Sequence, residues 1–136
     1  MNPIRPIVRN FAVLSLASLT SGFATTSAYA VDCANPPGLA RFWADVLGGE
    51  PQARDDDWHY VDPPGWTRVA FQRVPEGKVA KNRVHLDVEV DDLATATAQA
   101  EALGATRVGD VHADTAGSFQ VLRDPEGNEW CVVKPS

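Results

Sequence analysis

The segment His85-Leu86-Asp87-Val88-Glu89-Val90 alternates polar and apolar side chains without a break, and Asp91-Asp92 follows it. Strand side chains alternate between faces. Leu86, Val88 and Val90 therefore face a core, while His85, Asp87 and Glu89 share the opposite face. Asp91 or Asp92 caps a helix. Leu93, Ala96, Ala100 and Leu103 then recur at helical spacing, and Gly104 ends the run. Three strands follow, at about residues 106–111, 118–122 and 129–134. The last two are joined by the turn Asp124-Pro125-Glu126-Gly127-Asn128.

The same order of elements appears upstream. Residues 25–33 read as a strand with Tyr29, Val31 and Cys33 on one face and Ala28, Ala30 and Asp32 on the other. Asn35-Pro36-Pro37-Gly38 opens a helix. Leu39, Phe42, Trp43, Val46 and Leu47 form its apolar stripe, and Gly48-Gly49 closes it. Residues 58–61 and 67–74 read as strands around Asp62-Pro63-Pro64-Gly65, and a linker runs from Pro75 to about Arg83. Leu47-Gly48 matches Leu103-Gly104, and Ala28 and Asp32 match His85 and Glu89 at an offset of fifty-seven. This is an internal duplication. Each copy is too small to bury its helix well alone. The expected fold is therefore α+β: two tandem β-α-β-β-β modules forming a curved mixed sheet around one concave cavity. The halves fall at about 25–76 and 83–134. The hollow is the default ligand site.

The whole chain has 136 residues, 44% hydrophobic and 22% charged, which fits one globular domain. Twelve Lys and Arg against eighteen Asp and Glu give a net charge of −6, which argues against nucleic acid or an anionic membrane as partner. No apolar run is long enough to span a membrane. Residues 1–24 form an extension of different character. Within residues 1–30 there are two Arg (Arg5 and Arg9) and no acid, an apolar run at 11–19, and Ala28-Tyr29-Ala30 at the end. That is the layout of an export signal. Cleavage after Ala30 would remove most of the first strand, and free cysteines fit a reducing compartment. The cytoplasm is the expected location, with export through residues 1–30 as the alternative.

Asp32, His85, Asp87 and Glu89 bring ionisable groups to one strand face, which suits a polar ligand clamp or a His85–Asp87 acid–base pair. An ordinary wet strand face explains them equally well. Trp43 and Trp130 read as core. Trp58 and Trp66 flank a loop, and for them core and pocket wall stay open. His59 and His112 read as surface residues. Cys33 and Cys131 read as free thiols on opposite sides of the sheet, and a nucleophilic Cys131 would need a base such as His85.

The segments Val31-Asp32-Cys33-Ala34-Asn35-Pro36, Phe42-Trp43-Ala44-Asp45-Val46-Leu47-Gly48, Val69-Ala70-Phe71-Gln72-Arg73-Val74-Pro75, Lys81-Asn82-Arg83-Val84-His85-Leu86-Asp87 and Asp124-Pro125-Glu126-Gly127-Asn128-Glu129-Trp130-Cys131, taken in order, resemble the glyoxalase-like domain of the vicinal oxygen chelate superfamily. The superfamily includes glyoxalase I, bleomycin-resistance proteins and extradiol dioxygenases. The resemblance spans residues 25–134 and implies paired modules around a small-molecule cavity. Its metal-dependent members hold a divalent ion at four strand positions, which carry over to Ala28, Phe71 or its neighbour Gln72, His85 and Cys131. His85 is the one good ligand among them. The expectation is a metal-independent module without a cofactor that binds a small organic molecule, with a divalent metal at His85 as the alternative. Asp32, Phe71, Gln72, Glu89, Cys131 and Trp58 would make its ligand contacts, and His85 with Asp87 any catalysis. The alternative is a lyase or isomerase of the glyoxalase type using His85. A domain whose main role is self-association is the third reading. The resemblance also implies a homodimer.

Overall fold

The computed structural model describes residues 22–136. The extension at residues 1–24, and with it most of the export-like segment, lies outside the described residues up to residue 21.

The chain runs β1 (Tyr29–Cys33), α1 (Pro36–Leu47), β2 (Gln52–Asp55), β3 (Trp58–Val61), β4 (Val69–Arg73), β5 (Asp87–Glu89), α2 (Leu93–Ala102), β6 (Thr106–Asp114), β7 (Gly117–Arg123) and β8 (Glu129–Pro135). Its strands form two four-stranded sheets, ordered β1-β4-β3-β2 and β5-β8-β7-β6. In each, the first strand pairs parallel with the last, and the remaining pairs are antiparallel. This is the expected pair of β-α-β-β-β modules. β1 and β5 are both edge strands.

Helix α1 starts where Asn35 accepts the Gly38 N–H at 3.2 Å and Pro36 takes the first turn. Gly38 suits the close approach of that cap, since a Cβ there would lie 2.4 Å from the Asn35 amide nitrogen. The helix buries Leu39, Ala40, Phe42, Trp43 and Ala44 and packs on β3 and β4. Helix α2 starts at Asp92, whose carboxylate accepts the Thr95 N–H at 2.8 Å. It buries Thr97 and Ala100 and packs on β6, β7 and β8, while Leu103, expected on its stripe, is 40% exposed.

The two halves meet through a cluster that spacing alone does not show. Trp43 of α1 lies edge-on to Trp130 of β8 with ring centroids 5.0 Å apart, and Phe42 is 6.0 Å from Trp130. Such pairs contribute about 0.5–1.5 kcal/mol each beyond the area they bury. The Trp43 indole N–H donates to Asp124, a nearly buried carboxylate that also accepts the N–H groups of Glu126 and Asn128 and the Asn128 amide. Gly127 completes this turn at φ +84°. Glu126 then reaches back across the halves, its two oxygens accepting the N–H groups of Ala34 at 2.6 Å and Asn35 at 2.9 Å. The 124–128 turn therefore closes a hairpin and also fastens the second half onto the β1–α1 junction of the first.

Candidate functional site

Alternation along β5 and β8 puts His85, Asp87 and Cys131 on the face away from the helices. Their ligating atoms all lie within 4.8 Å of one another. His85 Nε2 is 3.4 Å from Asp87 Oδ1, and both side chains are about half exposed. Cys131 lies beneath them at 7% exposure. Burial, then the neighbouring Asp87 charge and the thiol's bond to it, hold the Cys131 thiol above its usual pKa. A protonated, desolvated thiol is a poor nucleophile. The readier chemistry here belongs to the His85–Asp87 pair. The imidazole can exchange a proton, and the carboxylate can orient it and stabilise its charged form.

The strand register assigns each of these residues a counterpart in the first half. Asp87 pairs with Cys131, and Ala30 pairs with Ala70. The backbone bonds repeat as well: Cys131 N–H donates to Leu86 and Val90 N–H to Val133, while Tyr29 N–H donates to Arg68 and Val74 N–H to Cys33. By this ladder and the fifty-seven-residue offset, the counterparts of His85, Asp87 and Cys131 are Ala28, Ala30 and Ala70. Motif spacing alone carries the first-half position to Phe71 or Gln72, which is off by one or two residues. The Phe71 side chain is fully buried in the core beneath α1, so it is not available to a ligand on the open face. Gln72 is exposed and sits opposite Asp32 in the register. Trp58 is half-buried under the Arg54 guanidinium, 4.6 Å from its ring centroid. Trp66 is half-exposed beside Tyr29. Glu89 is exposed farther along β5, opposite Val133. His59, expected on the surface, is half-buried opposite Phe71, with Nδ1 buried and unpaired. His112 is exposed and stacked on Phe119. Both cysteines are free, with Cys33 in the helix-side core.

A cleft of about 390 Å³ opens between the halves, lined by β1 on one side and by Val84, His85 and Leu86 on the other. That volume falls in the range of small-molecule sites. Of the residues singled out from the sequence, Asp32 and His85 line it. Phe71, Gln72, Asp87, Glu89, Cys131 and Trp58 do not. Asn82, Glu126 and Asn128 also line it, although the sequence showed them only as linker and turn. The wall is held firmly. Asn82 donates its backbone N–H to Glu129 and its amide to Asn128, and Lys78 pairs with Glu129 at 3.4 Å. Burial pushes the Glu129 carboxyl up, but the backbone N–H groups of Asn82 and of Glu129 itself, with the Lys78 charge, together outweigh it and hold its pKa below the usual value. A second, more open groove of about 760 Å³ runs between residues 78–81 and β6–β8 and does not reach His85.

The four-strand ion of the metal-dependent relatives does not fit these residues. Ala28 and Ala70 carry no donor atom, so the two first-half positions of that site hold no ligand.

A profile of the glyoxalase-like domain matches residues 28–133. No curated protein matches the chain. Solved structures do. A glyoxalase/bleomycin resistance protein/dioxygenase family enzyme from Burkholderia phytofirmans superposes with TM-score 0.71 at 18% identity, covering 83% of this chain and 100% of that one. A glyoxalase-related enzyme from Fulvimarina pelagi gives 0.65 at 16%, covering 82% and 88%. A fosfomycin resistance protein from Listeria monocytogenes, complexed with manganese(II) and a dihydroxypropylphosphonic acid, gives 0.69 at 9%, covering 85% and 93%. At these identities the likeness is one of fold. The profile spans most of the chain, and with the paired modules it leads to one conclusion: this chain belongs to the glyoxalase-like domain family.

Proposed function

We propose that the protein binds a small organic molecule in the cleft between its halves and does so without the divalent ion shared by four strands in metal-dependent relatives. The observation that carries this reading is the three alanines, Ala28, Ala30 and Ala70, at the counterparts of His85, Asp87 and Cys131. They remove the donors an ion would need, while Asp32 and His85 stay among the polar residues that line the cleft, with Asn82, Glu126 and Asn128. Mapping amide shifts of the full chain against a panel of small aromatic acids and amides, with and without chelator, tests it. Saturable shifts at Ala30, Asp32, Val84 and His85 that persist in chelator support the reading. Shifts that need a divalent ion, or that cluster elsewhere, oppose it. The expected homodimer belongs to the same proposal, and sedimentation of the full chain tests it.

One observation favours a second reading. The 3.4 Å His85–Asp87 contact suits proton transfer in a lyase or isomerase of the glyoxalase type. Turnover that disappears in Asp87→Asn, which lies outside the cleft lining, while the fold and cleft binding survive would establish it.

A further inference from the structure

We infer that the ligand of the cleft is a short, extended, positively charged peptide that adds a strand to the free edge of β1. The inference rests on the cleft reading and names its class of ligand.

The strand ladder identifies the edge. β1 pairs with β4 on one side and with no other strand among the described residues. Tyr29 N–H donates to Arg68, and the Cys33 carbonyl accepts from Val74. Successive residues of a strand turn their backbone groups to opposite edges. Tyr29, Val31 and Cys33 therefore serve β4, while Ala30 and Asp32 hold out their N–H and C=O groups on the free side. Both residues are exposed. The cleft meets the strand along this edge. Tyr29 to Ala34 line it without a gap, whichever face their side chains take, whereas a hollow over one face would touch alternate residues. The opposite wall, Val84-His85-Leu86, is also continuous and leads into β5, the other edge strand. Glu126 closes one end by accepting the Ala34 and Asn35 N–H groups, so the open stretch is Ala30 to Asp32. Free strand edges take extended chains through main-chain hydrogen bonds. At about 390 Å³ the cleft suits a short one.

The lining sets the charge of that chain. Asp32, Glu76, Asp124, Glu126 and Glu129 line the cleft, against Lys78. Asp124, Glu126 and Glu129 are occupied by internal donors. Asp32 and Glu76 are exposed and make no ion pair among the described residues. A basic side chain on the peptide complements them. A second copy of this chain, at net charge −6, does not.

The test is amide hydrogen exchange of the full chain with acetyl-valyl-lysyl-valine amide, followed by NMR. At ten times the dissociation constant, exchange at Ala30 and Asp32 should slow by about tenfold, while Tyr29 and Val31, already bonded to β4, should change little. The glutamyl counterpart should bind more weakly. Asp32→Asn and Glu76→Gln should each weaken the lysyl peptide by about two- to fivefold, as exposed charge pairs do. Ala30→Pro removes an edge N–H and spares the β4 ladder, a position where strands accept proline, and it should abolish protection at Asp32. Peptide binding that leaves exchange at Ala30 and Asp32 unchanged, or that survives Ala30→Pro in a folded variant, overturns the inference. Protection of both amides in the peptide-free chain, by residues 1–21 or by a second copy, overturns it too. If small aromatic amides fill the cleft and the peptide does not, the ligand class falls and the cleft reading stands. If neither binds, both fall.

Discussion

Replacing Asp124 with alanine tests how the halves are joined. Its carboxylate serves four donors: the Trp43 indole N–H, the backbone N–H groups of Glu126 and Asn128, and the Asn128 amide. The three donors on the turn are half-buried and regain water when the carboxylate goes. The indole is different. Trp43 is 4% exposed, so its N–H would be stranded in the core, a loss of about 1–3 kcal/mol. Losing the charge-assisted bonds that shape the turn adds about 1–2 kcal/mol after rehydration. Asp124→Ala should therefore destabilise the fold by about 2–5 kcal/mol, a large share of the 5–15 kcal/mol typical of a domain. Asp124→Asn keeps an acceptor and the shape, and should cost about 1–2 kcal/mol. Urea unfolding followed by tryptophan fluorescence suits the test, since Trp43 and Trp130 are both buried. For a urea slope of about 1–2 kcal/mol/M, the alanine midpoint should fall by roughly 2 M. An alanine variant within about 0.5 kcal/mol of the parent, the usual range for surface changes, would refute the reasoning.

Adjacent positions on β4 should behave in opposite ways. Phe71→Ala empties a fully buried core site and should cost about 3–5 kcal/mol, whereas Gln72→Ala on the exposed face should stay within about 0.5 kcal/mol in the same urea assay. Burial, followed by the nearby Glu126 charge, pushes the Cys33 thiol up from 9.0 to about 11. The folded state thus holds this proton more tightly than the unfolded chain. The stability that this confers is intact below about pH 9 and is lost as pH rises toward 11. Unfolding midpoints measured across that window should decline, and Cys33→Ser should flatten the decline.

Much of the architecture was legible because it rests on short-range rules. The faces of β1 follow from alternation, with Tyr29, Val31 and Cys33 inward. The stripe of α1 and its Asn35 cap follow from helical spacing and turn chemistry. Strand β2 escaped notice because Gln52–Asp55 is exposed at every residue and carries no apolar alternation. The placement at Phe71 failed for a different reason. Motif spacing is blind to strand register, and in a strand a slip of one residue turns the side chain to the other face. The backbone ladder places Ala70 there. The 124–128 turn was recognised as a turn, but its role in joining the halves depends on contacts some ninety residues apart in the chain. One clue lay in Trp43. A core tryptophan needs an acceptor for its indole N–H, and Asp124 supplies it. The cleft wall formed by Asn82, Glu126 and Asn128 left no such clue.

The most direct check is an anomalous-scattering map from crystals soaked in manganese(II) together with a fragment that shifts Asp32 and His85. The fragment should occupy the space between β1 and Val84–Leu86, with no manganese peak touching residues of both halves. A manganese ion bridging the first-half sheet and His85 would contradict the account.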